Sequence, residues 1–133
     1  MQPIATPCRL TRVLVVEDEP TTRQTLCRLL QLSGYACAGA ANGAEAIELT
    51  GSSHPEVIIM DLMMSGLDGF EATRRLKADR TTRGIPVLAL TSSVSWEERR
   101  QAAQAGFDDF LPKPVDLPEL LCHLRQHLVE AAR

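Results

Sequence analysis

Three short apolar segments constrain the fold of this chain more than any other feature of its sequence. They are VLVV at 13–16, VIIM at 57–60 and VLAL at 87–90, and none of them alternates with polar residues. Continuous apolar runs of this length are typical of strands that are buried on both faces in a parallel sheet covered by helices. Two weaker candidates, at 35–39 and 109–111, bring the predicted strands to five.

Helical patterns fill the segments between these strands. Four predicted helices begin with the same signature, in which a helix-capping residue stands three positions before a glutamate. The pairs are Asn42 with Glu45, Asp68 with Glu71, Ser95 with Glu98, and Asp116 with Glu119. At this spacing the capping side chain can accept a hydrogen bond from an otherwise unpaired backbone N–H at the helix start. Pro20 fits the first turn of an opening helix. Five βα units with right-handed crossovers predict a doubly wound α/β sheet with helices on both faces.

Length and composition indicate one soluble domain. The chain has 133 residues, of which 44% are hydrophobic and 23% charged, as in ordinary globular domains. Its formal charge of −3 argues against direct binding to nucleic acid or to an anionic membrane, and no apolar run is long enough to cross a bilayer. Residues 1–11 hold two prolines and no apolar signal core, so we interpret them as a flexible leader before a domain at 12–130.

The cysteines and histidines form no recognisable metal or redox motif. The four cysteines include no CxxC pair, and Cys27, Cys37 and Cys122 lie in apolar segments, where a free cysteine behaves as a small hydrophobic residue. This usage favours a reduced, cytoplasmic setting. His123 and His127 are four residues apart on a predicted helix without a third ligand nearby, so we expect them on a solvated helix face. The polar segment 78–84 is expected to be a solvated loop.

Polar residues follow four of the predicted strands at the point where each strand ends. Glu17 and Asp18 follow the first strand, and Asp61 follows the third. Thr91 comes directly after the fourth strand, and Lys113 lies just past the fifth. In an open parallel sheet, ligands bind beyond the carboxyl ends of the strands. We therefore expect these five side chains to converge at one edge of the sheet.

This set of residues predicts phosphoryl chemistry. Crowded carboxylates repel one another and recruit a cation, and oxygen ligands without thiolate or imidazole favour Mg²⁺. A carboxylate can attack phosphorus to form an aspartyl phosphate, and an ammonium and a hydroxyl can stabilise the phosphoryl oxygens. We predict that Asp61 is the nucleophile because it ends a central strand, with the metal-binding acids on the neighbouring strand.

These motifs resemble the receiver domains of two-component response regulators. The matching segments are VLVVEDEP at 13–20, MDLMMSGLDGFE at 60–71, LALTS at 88–92 and AGFDDFLPKP at 105–114, and the similarity runs from about residue 12 to residue 127. The resemblance implies a flavodoxin-like (βα)5 fold, with a five-stranded parallel sheet in the order 2-1-3-4-5.

The resemblance also implies a role for each site residue. Asp61 would be the phosphoacceptor, and Mg²⁺ would be held by Asp18, Asp61 and the backbone carbonyl of Met63. Glu17 would help to bind the metal directly or through water. Lys113 would contact a phosphoryl oxygen, and the peptide bond that follows it, before Pro114, would be cis.

A conformational switch follows from the same resemblance. The Thr91 hydroxyl would turn toward the phosphoryl group, and Phe110 would move inward behind it. Phe110 lacks a phenol hydroxyl, so it should favour a buried position more than tyrosine would. The surface at 95–128 would present the signal to a downstream protein. Within it, a half-buried Trp96 in the first turn of a helix is a simpler expectation than a partner anchor.

Two positions depart from the family pattern. Ser65 stands where receivers usually carry proline, which should loosen the loop after Asp61. Glu17 replaces the commoner aspartate and adds one methylene group. Met63 and Ser93 flank the phosphoryl position, where the family tunes the access of water.

We therefore expect a cytoplasmic, phosphorylation-dependent switch that receives its phosphoryl group from a histidine kinase or a histidine phosphotransfer protein. Such a domain catalyses only its own phosphotransfer and dephosphorylation. One alternative is a protein-interaction module of the same fold that signals without phosphate. Another is an aspartyl-phosphate phosphatase, which would typically carry an acid at the position of Met63. A flavin carrier is disfavoured because the acids at 17–19 would repel a phosphate.

Overall fold

The computed structural model describes residues 9–64, 68–92 and 95–131, with the side chains described as far as residue 128. The strands are β1 (Arg12–Val16), β2 (Ala36–Ala40), β3 (Val57–Asp61), β4 (Val87–Thr91) and β5 (Asp109–Pro112). The helices are α1 (Pro20–Leu32), α2 (Gly43–Ser53), α3 (Gly69–Ala78), α4 (Trp96–Ala105) and α5 (Leu117–Ala131). Residues 1–8 of the predicted leader, together with Ser65 and Ser93, lie outside the described residues.

The five strands form one parallel sheet in the order β2-β1-β3-β4-β5. This confirms the predicted (βα)5 architecture and strand order. The chain moves from β1 to β2 in one direction and then returns across β1 to β3, so the order reverses between β1 and β3. Such a reversal leaves a crevice at the carboxyl ends of the two strands, where ligands bind in folds of this kind.

Successive residues of the central strands pack on opposite sides of the sheet. On β3, Ile58 and Met60 pack with buried residues of α2, α3 and α4, whereas Val57 and Ile59 pack with α1 and α5. All five residues of β3 and of β4 are buried. A strand covered by helices on both sides favours apolar residues on both faces, which explains the absence of alternation before the polar last residues, Asp61 and Thr91.

Three of the four predicted helix caps are confirmed by hydrogen bonds. Asn42, Asp68 and Ser95 accept hydrogen bonds from the backbone N–H groups three residues later, at 2.8, 2.9 and 3.1 Å. The helix α5 begins directly after Asp116. A cap that the sequence analysis missed is Glu19, whose carboxylate accepts the backbone N–H of Thr22 at 2.7 Å.

One expectation about polar segments is confirmed with a single exception, and one is wrong. Residues 78–84 are exposed apart from Thr82, which is buried and whose hydroxyl donates to the Leu76 carbonyl at 2.6 Å. His123 and His127, in contrast, do not form a solvated face. Both rings contact Oδ2 of Asp109 on β5, His127 through Nε2 at 3.0 Å. An ionised carboxylate can only accept hydrogen bonds, so it draws both rings against the sheet.

None of the helices in the described ranges is long and apolar enough to cross a membrane.

Candidate functional site

Three carboxylates meet at the carboxyl end of the sheet. Glu17 and Asp18 follow β1, and Asp61 is the last residue of β3. One oxygen from each lies within 4.8 Å of the others. The strand register explains this meeting. Val16 of β1 pairs with Met60 of β3, so the residues that follow them, Glu17 and Asp61, lie side by side. The arrangement offers hard oxygen ligands in a cluster that could hold a divalent cation.

The two acids closest to the sheet are removed from water. Glu17 and Asp61 are each 3% exposed, whereas Asp18 is exposed. Glu19, the third acid in this run, belongs instead to the start of α1, where it caps the helix. Consecutive acids in the sequence therefore divide between the site and the helix.

Lys113 places its ammonium group between the two buried acids. Its Nζ lies 3.0 Å from Oδ2 of Asp61 and 3.3 Å from Oε1 of Glu17. Its backbone N–H donates to the carbonyl of Thr91 at 2.9 Å, which joins the segment after β5 to the end of β4. The peptide bond between Lys113 and Pro114 is cis, as the family resemblance implies.

The charges in this cluster perturb one another. Burial raises the pKa of Glu17 to about 7, and the hydrogen bond to Asp61 and the charge of that residue act in the same direction. Burial works to lower the pKa of Lys113, but the hydrogen bond and charge of Asp61, followed by the charge of Glu17, outweigh it and raise that pKa. One ammonium among three carboxylates leaves negative charge uncompensated. A bound cation would relieve that excess.

The Asp61 carboxylate is oriented by its neighbours. The backbone N–H of Met63 donates to Oδ1 of Asp61 at 3.1 Å, while Lys113 holds Oδ2. The first residue of α3 packs against the same strand end, since a Cβ at Gly69 would lie 2.6 Å from the Asp61 carbonyl. A glycine at this position lets the helix start come close to the strand end. The Met63 side chain is exposed.

Thr91 and Phe110 lie on the other side of the site. Thr91 is buried at the end of β4, one position after Leu90, which is the register partner of Asp61. Phe110 is half-buried on β5. The guanidinium carbon of Arg99 lies over its ring, 5.9 Å from the ring centre. Thr91 is thus close to the carboxylates along the strand, whereas Phe110 faces α4.

The side chain of Trp96 is 88% exposed. The expectation of a half-buried aromatic residue at the start of α4 is therefore wrong. Trp96 and Phe110 contribute to the same groove between α4 and β5.

A cavity of about 570 Å³ opens beside the carboxylates. It is acidic at the end formed by Glu17 and Asp61. The rest of its wall is largely apolar and comes from α1 and the segment after β5, including Leu26, Leu29 and Val115. The site therefore opens into a space bounded by two elements that are distant in the sequence.

Sequence reasoning missed two polar contacts, one at the site and one away from it. Arg23 on α1 donates from Nη1 to the backbone carbonyl of Glu17 at 2.8 Å, which ties the helix to the acidic turn. The other contact joins Asp109, the first residue of β5, to the two α5 histidines. The histidine pair and the acid were both visible in the sequence, but their contact depends on how α5 is rotated against the sheet.

Comparison with protein families and curated proteins gives a consistent result. The family model described as response regulator receiver domain matches residues 13–125. The response regulator MprA of Mycolicibacterium vanbaalenii is 42% identical over 114 residues, which make up 86% of this chain and 48% of that protein. The chain spans about half the length of the curated relatives it matches.

Solved structures resemble this one closely. A putative response regulator from Chloroflexus aurantiacus has a TM-score of 0.86 at 28% identity, covering 91% of this chain and 99% of that one. A chemotaxis protein from Vibrio cholerae has a TM-score of 0.85 at 30% identity, covering 89% and 98%. The receiver domain of a sensor histidine kinase from Pseudomonas aeruginosa, solved with a magnesium ion coordinated in its active-site cleft, has a TM-score of 0.84 at 31% identity, covering 90% and 98%.

Proposed function

This chain belongs to the response regulator receiver domain family of two-component signalling, and from that membership we propose that it is a phosphorylation-dependent switch with Asp61 as the phosphoacceptor. The observation that carries the proposal is the placement of the Asp61 carboxylate. It is buried at the end of the central strand, clustered with two other acids and in contact with the Lys113 ammonium group. A carboxylate held in this way is suited to attack phosphorus.

The acidic side of the site supports Mg²⁺ as the cofactor. Asp18, Asp61 and the backbone carbonyl of Met63 would hold the ion, with Glu17 contributing directly or through a water molecule. When bound, Mg²⁺ supplies the positive charge that lets an anionic carboxylate approach an anionic phosphoryl group. Burial is the main cause of the raised pKa of Glu17, and the charge of Asp61 adds to it; a bound cation would relieve the repulsion between these two carboxylates.

The residues of the chain would orient the reacting groups. The Met63 N–H and the Lys113 ammonium group each hold one oxygen of Asp61, so the carboxylate presents a defined face to the cavity. In the phosphorylated state Lys113 would transfer its contact from the carboxylate to a phosphoryl oxygen. The Lys113 side chain is partly exposed, which leaves it the freedom for that short movement. Burial of Glu17 and Asp61 limits the access of water to the reacting oxygen.

The signal would leave through the opposite side of the site. The Thr91 hydroxyl would turn toward the phosphoryl group and Phe110 would move inward. The position of Phe110 supports this role, because the ring packs against the core beneath Arg99 and is only half-buried. The surface at 95–128, with the exposed Trp96, would then contact a downstream protein.

A histidine kinase or a histidine phosphotransfer protein would supply the phosphoryl group. The protein would act in the cytoplasm as a domain at 12–130, and its catalysis would be confined to its own phosphorylation and dephosphorylation. We propose no direct contact with nucleic acid or with a membrane, since the net charge of −3 is unfavourable for both. The relatives that share this domain are named as response regulators, which supports the assignment of the donor class.

Phosphorylation by a small-molecule donor tests the proposal directly. The protein is incubated with acetyl phosphate and MgCl₂, and intact mass spectrometry follows the gain of one phosphoryl group. We expect the wild-type protein to gain one group that is lost on treatment with hydroxylamine, and Asp61→Asn to gain none. Asp116→Asn is a matched control, because asparagine also caps helices well and Asp116 lies at the start of α5.

A wild-type protein that gains no phosphoryl group with Mg²⁺ and a competent donor would refute the switch. Labelling of Asp61→Asn at the wild-type level would show that the phosphoacceptor is a different residue. If a phosphotransfer partner and a downstream partner bind Asp61→Asn and the phosphorylated wild-type protein equally, the phosphate-independent interaction module becomes the better account.

A further inference from the structure

Two thiols meet between helix α1 and the edge strand β2. The Sγ atoms of Cys27 and Cys37 are 2.8 Å apart, whereas the S–S bond of a disulfide is about 2.0 Å long. Both cysteines are free and neither is fully buried. We propose that Cys27 and Cys37 form a reversible intramolecular disulfide when the protein meets a hydroperoxide, and that this bond joins α1 to β2.

The thiol contact follows from the packing of the two elements. Arg23 and Cys27 are one helical turn apart on α1, and Cys37 and Gly39 face the same side of β2. A Cβ at Gly39 would lie 3.0 Å from Cγ and Cδ of Arg23, so the arginine stem lies directly on the glycine backbone. The contact of Arg23 with Gly39 and the contact of Cys27 with Cys37 are therefore neighbours along one interface between α1 and β2. The approach of the thiols is thus fixed by the neighbouring contact as well as by their own side chains.

The two thiols differ in a way that suits disulfide formation. The hydrogen bond from Cys37 lowers the pKa of Cys27; burial opposes that effect and the charge of Arg23 assists it. The same hydrogen bond, followed by burial, raises the pKa of Cys37. Cys27 therefore ionises first and is the better nucleophile, and Cys37 remains a thiol beside it.

The chemistry proceeds in two balanced steps. The Cys27 thiolate attacks one oxygen of the hydroperoxide, the O–O bond breaks, and the departing oxygen takes up a proton, which leaves a sulfenic acid on Cys27. The Cys37 sulfur then attacks the Cys27 sulfur, the S–O bond breaks, and the hydroxide takes the proton of Cys37 and leaves as water. With hydrogen peroxide, two thiols and one peroxide give one disulfide and two waters. A dithiol reductant reverses the bond by exchange.

The bond would act on a helix that borders the acidic site. Arg23 donates to the Glu17 carbonyl at 2.8 Å, and Leu26 and Leu29 of α1 line the cavity beside the carboxylates. Oxidation would fix this wall of the cavity to the edge of the sheet. Because the two cysteines are 10 positions apart, the closed loop is short, and the loop-entropy relation gives a roughly 100-fold smaller unfolding equilibrium constant.

The test uses the full chain with Cys8→Ser and Cys122→Ser, so that other thiols do not interfere. This protein is treated with hydrogen peroxide, blocked with an alkylating reagent and measured by intact mass and peptide mapping. We expect loss of both thiols together, one peptide joined through Cys27 and Cys37, and no dimer. Urea unfolding of the oxidised form, with and without dithiothreitol, should give the roughly 100-fold change in the unfolding constant.

Single substitutions in the same background separate the roles. With Cys37→Ser, the sulfenic acid on Cys27 should persist and be trapped by dimedone, whereas Cys27→Ser should leave Cys37 unlabelled. The proposal is overturned if both thiols survive peroxide that oxidises Cys122 in the wild-type chain. It is also overturned if the oxidised product is a dimer, or if the unfolding constant rises on oxidation. None of these readouts requires metal or phosphoryl transfer, so they do not depend on the role of Asp61.

Discussion

Replacing Glu17 by glutamine should stabilise the metal-free protein above neutral pH. Glu17 is buried against Asp61, and its carboxylate receives partial compensation from Lys113, 3.3 Å away. Burial, followed by the hydrogen bond and charge of Asp61, raises its pKa from 4.5 to about 7. The folded state therefore holds this proton more tightly than the unfolded chain does. The stability that the group contributes is fully present below about pH 4.5 and is lost as the pH rises through about 7.

The expected magnitude follows from the two pKa values. Their difference corresponds to about 3 kcal/mol at 1.36 kcal/mol per pKa unit, and this is the cost of ionising Glu17 in the folded state well above pH 7. Water reaches the site from the side of Lys113, whose side chain is 29% exposed, and screening reduces the cost. We expect Glu17→Gln to gain about 2 kcal/mol at pH 8 and well under 1 kcal/mol at pH 5.

Urea denaturation followed by far-UV circular dichroism measures this effect in EDTA at both pH values. Glu48→Gln, at an exposed position on α2, is the matched control and should change stability by less than about 0.5 kcal/mol. Added MgCl₂ should stabilise the wild-type protein more than Glu17→Gln at pH 8, because the cation compensates the charge that the variant has already lost. A variant that is no more stable than wild type at pH 8, or equally stabilised at both pH values, would refute the reasoning.

Three further predictions concern the surroundings of the site. Lys113→Met leaves buried carboxylates without their ammonium partner and should lower stability by about 2–4 kcal/mol at pH 8 and by less at pH 5, as measured by urea denaturation. Gly69→Ala brings a Cβ to 2.6 Å from the Asp61 carbonyl and should cost about 1–3 kcal/mol in thermal unfolding. Gly51→Ala, with nothing within 4 Å, should be neutral or slightly stabilising. Burial works to raise the pKa of Asp109, but hydrogen bonds from the two α5 histidines outweigh it and lower that pKa below 3.8. Asp109→Asn should therefore lower stability by about 1–2 kcal/mol at neutral pH, with the difference disappearing as the pH falls below 3.8; equal losses at pH 3 and pH 7 would contradict this.

The strands and helix starts could be predicted because their causes are local. A strand with helices on both faces favours apolar residues on both sides, and residues 57–60 and 87–90 are apolar at every position. The caps at Asn42 and Asp68 depend on a spacing of three residues. The strand β2 was predicted one residue too early because its small residues carry little pattern.

The acidic site could be anticipated because the strand ends are fixed by the topology, which brings Asp61 and Lys113 together from distant positions. The side-chain contacts between the helices and the sheet could not be anticipated from the sequence. The meeting of Cys27 with Cys37, and the histidine contacts of α5, depend on the rotation of each helix about its axis. That rotation depends on how all the side chains between helix and sheet pack together, and the spacing of residues along the chain does not determine it.

The backbone hydrogen bond from Lys113 to the Thr91 carbonyl has a mechanical consequence. If the tips of β4 and β5 swung apart, this amide would lose its acceptor, at a cost of about 1 kcal/mol or more. Separating the two strand ends therefore costs free energy. A rearrangement at the end of β4 that keeps this hydrogen bond also moves the segment after β5 that leads into α5.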